Sequence, residues 1–177
     1  QHGIAWYLYL DDHDEYFPVL GLSENPTMTL PETFGGKEGE NMSYFTPARG
    51  RTINRYLDIH DESSPNLELF HCPDDIKERR LVDNKTSFDG CGNSYYMNYY
   101  LISRDFFKPI PLSAVTAPKS KVYLERCNKA NKPGHGGKVD RKVMVLFVDG
   151  HVAGPFRTKI GGDFQSGGGD KVLENPN

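Results

Sequence analysis

The chain has 177 residues and a net charge of −3 with no basic block, which suits one domain with a real core and argues against a nucleic-acid partner. Hydrophobic residues make up 37% and mean hydropathy is −0.62, so a small core carrying long polar loops is expected, and no apolar run is long enough to cross a bilayer. Three cysteines, Cys72, Cys91 and Cys127, lack the tight spacing of a metal site; the odd count fits one disulfide or three thiols equally.

The chain opens on Ile4-Ala5-Trp6-Tyr7-Leu8-Tyr9-Leu10, apolar throughout and without a capping Ser, Thr, Asp or Asn before it. This predicts the last turns of a longer helix, laid into a core or continuous with a membrane segment. An ordinary short helix behind a trimmed N-terminus is the plainer alternative. Asp11, Asp12, Asp14 and Glu15 end that helix beside His13, and Phe17-Pro18 closes it. Asp12 and Asp14 are the candidate metal ligands, with calcium as the cation, although the cluster lacks the alternate spacing and Gly of an EF-hand loop. Carboxylates at a helix C-terminus oppose the macrodipole, so a Lys or Arg from elsewhere is expected beside them.

Residues 18–92 read as a long inserted region interrupted by Pro26, Pro31, Pro47, Pro65 and Pro73. Residues 52–59 suggest a short helix with Ile53, Tyr56 and Leu57 on one face. Residues 67–72 alternate weakly, as a short strand would, and residues 74–81 suggest one further helical turn. A Cys72–Cys91 bridge would staple this region.

Residues 93–157 carry the sheet. Tyr95-Tyr96-Met97-Asn98-Tyr99-Tyr100-Leu101 is aromatic enough for a strand, and Lys121-Val122-Tyr123-Leu124-Glu125 is a second. Tyr95, Tyr96, Tyr99 and Tyr100 fit sheet packing better than a ligand platform, although stacking on a sugar ring is the functional alternative. Val143 to Val148 is an unbroken apolar run, and Asp149-Gly150 after it predicts a two-residue type I′ hairpin turn. The chain then returns antiparallel through His151-Val152-Ala153, and the Val143–Val148 run is the expected neighbour of the second strand. His135-Gly136-Gly137 is loop chemistry leading into the third strand, and residues 158–177 read as a loosely ordered tail.

These pieces resemble the prepilin-type proteins of bacterial type II secretion pseudopili. The closer likeness is to the large prepilin-type family whose C-terminal motif is a His, nine residues, then Asp-Gly. The likeness rests on Gln1, Gly3, Ala5, Tyr9, Asp12, Asp14 and Tyr16-Phe17-Pro18, then Cys72-Pro73-Asp74-Asp75, Tyr96-Met97-Asn98-Tyr99-Tyr100-Leu101 and Lys119-Ser120-Lys121-Val122. It ends on His135-Gly136-Gly137 and Val145-Leu146-Phe147-Val148-Asp149-Gly150-His151-Val152. Here thirteen residues separate His135 from Asp149.

The resemblance implies an α+β, pilin-like fold: a truncated N-terminal helix packed on a C-terminal antiparallel sheet, with long irregular loops inserted. It also implies a cleaved leader, an inner-membrane anchor helix upstream of Gln1, and a periplasmic or filament location. Other pilin or pseudopilin subunits would be the partners through that helix. The leading expectation is therefore a non-enzymatic structural subunit with no catalytic residue and no required cofactor. His135, Gly136, Gly137, Asp149, Gly150 and His151 would then form a structural motif. Two alternatives stand beside it: a cell-surface glycan- or protein-binding module, and a zinc enzyme on His135, Asp149 and His151. A nucleophile elbow, a phosphate loop and a His-Glu-x-x-His pair are all absent from the sequence.

Overall fold

The computed structural model describes residues 1–19, 33–40, 46–75, 85–98, 101–102, 109–127 and 141–158. Helix α1 spans His2–Asp12 and has no side-chain cap at Gln1. It buries Ala5, Trp6, Tyr9 and Leu10, a single stripe at helical spacing, and leaves Ile4, Tyr7 and Leu8 exposed. The uncapped apolar run is thus a helix, as expected, but one with two unlike faces. It ends where Asp14 and Glu15 take left-handed backbone angles, with Glu15 N–H donating to the Leu10 carbonyl at 2.7 Å. The cation anticipated at this acidic end is Arg55, whose guanidinium lies 3.3 Å from Asp12.

Four strands follow in an antiparallel sheet of order β1-β2-β3-β4: β1 Tyr95–Met97, β2 Tyr123–Cys127, β3 Arg141–Phe147 and β4 Val152–Thr158. The architecture is α+β. Every strand neighbours its successor in sequence, so local connections suffice. Met97 and Leu146 both stand opposite Glu125, and these three positions in one row set the helix-facing side of the sheet. Ala5, Trp6, Leu10, Met97, Leu124, Leu146 and Val148 share the main core, which is where helix and sheet meet.

Several sequence expectations need correction. The turn after β3 is not a two-residue type I′ turn. Gly150 N–H donates to the Phe147 carbonyl, and Phe147 N–H to the His151 carbonyl. The loop is therefore the three residues Val148-Asp149-Gly150, and only Gly150 is left-handed (φ 82°). Residues 67–72 form no strand: Pro65–Phe70 is a 3-10 helix, started by Ser64 capping Asn66 N–H and by proline at its first position. The apparent alternation is the three-residue spacing of buried Leu67 and Phe70. Within 52–59 the helical part is one 3-10 turn, Asn54–Leu57, ended by left-handed Asp58. Strand β1 ends at Met97; after it Asn98 N–H donates to the Leu124 carbonyl at 2.8 Å and the Asn98 side chain to the Tyr123 carbonyl at 2.9 Å.

The Cys72–Cys91 bridge is not formed; all three cysteines are buried thiols. Cys91 ends the short helix α2, Ser87–Cys91, whereas Cys72 packs in a second cluster with Tyr123, Cys127, Val145 and Phe147. The helical turn expected over 74–81 falls mostly outside the described residues.

Candidate functional site

The Asp149-Gly150 motif lies directly under helix α1. A Cβ on Gly150 would sit 2.6 Å from the Tyr7 ring, and one on Gly3 would sit 3.2 Å from the Gly150 carbonyl oxygen. Both glycines therefore let helix and turn approach at backbone distance. The Tyr7 hydroxyl donates to the Val148 carbonyl at 3.4 Å, and its pKa is raised by burial first and by the Asp149 charge second. Asp149 in turn accepts from His151 N–H at 3.3 Å and meets the His151 ring nitrogen at 2.5 Å. His151 stacks face to face on Phe147, centroids 4.4 Å apart. Asp149 and His151 are thus occupied in shaping their own hairpin. His135, Gly136 and Gly137 lie outside the described residues.

One turn back along the helix, the buried Glu125 carboxylate faces His2 Nδ1 at 2.5 Å and accepts from Trp6 Nε1 at 3.3 Å. The His2 ring stacks on Phe70 at 4.5 Å, so the pair also ties in the 3-10 helix. Beside it opens a cavity of about 380 Å³ with Gln1, Ile4, Tyr95, Met144 and Val152 in its wall. Ile4, Met144 and Val152 are the exposed apolar residues of that rim, at 67%, 52% and 61% exposure.

Of the four tyrosines, the structure describes Tyr95 and Tyr96. Tyr95 is half-buried between the two hydrophobic clusters, and its phenol is pushed above the ordinary value by burial. Tyr96 lies under the Arg126 guanidinium, 5.3 Å from ring centroid to carbon. Tyr99 and Tyr100 are outside the described residues. At the other end of α1, Asp12 is engaged by Arg55 and by the Tyr56 hydroxyl at 2.9 Å. Asp12 and Asp14 border a second cavity of about 460 Å³ that Tyr9 and Tyr16 also line. Burial raises the Tyr9 phenol to about 12. Among the described residues no three His, Cys, Asp or Glu side chains gather as a metal site.

Sequence reading missed the polar residues that hold the connection between α1 and β1. Buried Arg51 donates to the carbonyls of Gly35, Thr46 and Cys91. Asn54 exchanges hydrogen bonds with the Gly36 backbone and donates to the Ala48 carbonyl. Asp75 caps α2 from a distance, accepting from Ser87 N–H, Phe88 N–H and the Ser94 hydroxyl. Arg51 and Asn54 sit in no recognisable motif, and Asp75, although part of the Cys72-Pro73-Asp74-Asp75 stretch, takes its role from amides that tertiary structure brings to it. No protein-family model, curated protein or solved structure matches the chain.

Proposed function

We propose that the chain is a non-enzymatic structural subunit of a type II secretion pseudopilus or a related pilus-like envelope assembly, with a pilin-like fold. On this reading α1 continues an apolar helix upstream of Gln1, which anchors the subunit in the inner membrane and then packs against other pilin or pseudopilin subunits. The domain itself would stand in the periplasm or along the filament. The observation that carries the reading is the division of α1. One face is fixed to the sheet through Gly3, Trp6 and the Gly150 turn, with Tyr7 at its edge against that turn, while Ile4 and Leu8 remain 67% and 47% exposed. Side chains of that kind on one side of a helix are an unusual cost for a lone domain and a natural asset in an assembly. Gly3 and Gly150 then have a purely architectural purpose.

The test is the mature N-terminus of the full-length native protein, read by mass spectrometry of the membrane fraction. A methylated first residue followed by an apolar helix leading into Gln1 is the expected result. A conventional signal-peptidase cut near Gln1, with the protein released into the periplasm, would overturn it.

A further inference from the structure

We propose that Cys72 and Cys127 are a redox pair that closes to a disulfide in oxidising surroundings, while Cys91 stays a thiol. Three placements bring the pair together. Ser94 N–H donates to the Phe70 carbonyl at 2.9 Å, so the chain around residues 70–72 runs against the start of β1. Tyr95, the first residue of β1, stands directly opposite Cys127, the last residue of β2. Cys72 and Cys127 then share one small buried cluster, on which Tyr95 packs and from which Cys91 is absent. After burial, the two sulfur positions are the next influences that raise the Tyr95 phenol, in keeping with their nearness to one ring.

Both thiols are buried, at 7% and 3% exposure, so reaction requires local opening. The three-residue edge strand β1 is the element that can fray to permit it. In the reaction one thiol loses its proton and attacks a sulfur of a small disulfide such as oxidised glutathione, expelling one thiolate. The second cysteine thiolate then displaces the other half from the mixed disulfide. The two electrons and two protons end on the two glutathione thiols, and a Cys72–Cys127 bond remains. That bond would fasten the 3-10 helix Pro65–Phe70 to the β1–β2 end of the sheet. The inference is independent of the assembly reading.

The test incubates the folded chain with oxidised glutathione, blocks remaining thiols by alkylation and digests with trypsin. Cleavage after Arg55, Lys77, Lys85, Arg104, Arg126 and Lys129 leaves the three cysteines on separate peptides, 56–77, 86–104 and 127–129. The expected product is 56–77 joined to 127–129, lighter than the sum by two hydrogens, with 86–104 alkylated. Dithiothreitol should reverse it, and Cys91→Ser should leave it unchanged. A 56–77 to 86–104 link, single glutathione adducts without a link, or no reaction would each overturn the proposal.

Discussion

Glu125 receives His2 Nδ1 at 2.5 Å and the Trp6 indole N–H at 3.3 Å, so one carboxylate on the middle of β2 binds two successive turns of α1. Its side chain is 6% exposed and that of His2 13%. Removing one member of such a pair strands the other polar groups away from water, which costs far more than the pair's net contribution. Glu125→Leu should therefore destabilise the domain by roughly 3–5 kcal/mol, and Glu125→Gln by less, because the amide oxygen still accepts from Trp6. Urea unfolding followed by fluorescence of the single tryptophan measures both, since Trp6 is itself one of the contacts. A Glu125→Leu variant as stable as the parent would show that the interface is held by apolar packing alone.

Two left-handed glycines separate backbone from side-chain obstruction. At Gly150 (φ 82°) an added Cβ meets the Tyr7 ring at 2.6 Å, and Tyr7 is a half-exposed side chain that can give way at the cost of its hydrogen bond to the Val148 carbonyl. At Gly92 (φ 78°) it meets the Lys37 carbonyl oxygen at 1.9 Å, an atom of the main chain. Gly150→Ala should cost about 1–2 kcal/mol, mostly the left-handed penalty. Gly92→Ala should cost well beyond that, on the order of 3 kcal/mol or more, as backbone must shift. Tyr7→Ala in the Gly150→Ala background should recover the contact part of the first loss and nothing of the second. Equal losses at the two positions would mean that backbone angle, not contact, governs both.

Arg51 spans the connection between α1 and β1 by donating to three carbonyls, at 2.8, 3.0 and 3.1 Å, from chain segments otherwise far apart in sequence. A planar guanidinium presents donors from three nitrogens in a rigid fork, whereas an ammonium presents all of its donors from one nitrogen and does not span three carbonyls placed this way. Arg51→Lys should lose roughly 2–4 kcal/mol despite keeping the charge. Hydrogen exchange locates the loss: protection should fall at Arg51 N–H, Lys37 N–H and Gly90 N–H while the β2–β3 amides keep theirs. A uniform fall across the sheet would contradict a local role.

The elements legible in the sequence were those whose signal is local. The uncapped apolar start became α1, the β-branched run of residues 143–148 became the core of β3, and Asp149-Gly150 marked the hairpin. Loop type is not legible, because it depends on which residue after the turn accepts the Phe147 N–H. Leu67 and Phe70 were misread for a related reason: a three-residue spacing over a short window imitates weak alternation, and Ser64-Pro65 was the overlooked start signal. Glu125 was hidden inside a strand pattern. An acidic residue in the middle of an apolar strand, with a His at the start of a helix, was the available clue. A Lys or Arg beside the acidic helix end follows from the helix dipole, but that it is Arg55 and that it meets Asp12 are set by tertiary structure.

Alkaline pH acts on the domain through Tyr9. Burial holds the Tyr9 phenol at about 12 against an ordinary value of 10.0, with Tyr56 adding to the rise and Arg55 opposing it. A buried phenol resists ionisation, while the unfolded chain ionises at the ordinary value. The stabilising difference is therefore complete below pH 10 and is lost as pH climbs toward 12. With each tenfold change worth about 1.4 kcal/mol, Tyr9 alone should withdraw roughly 2–3 kcal/mol over that window. Tyr95 is raised in the same direction and steepens the fall. Tyr9→Phe keeps the ring that packs edge-on to Trp6 at 5.7 Å and removes the ionising group, so its stability should decline less between pH 10 and 12. Parallel alkaline curves for the parent and Tyr9→Phe would show that this phenol ionises as freely in the folded chain as in water, and that the helix end around Tyr9 admits solvent.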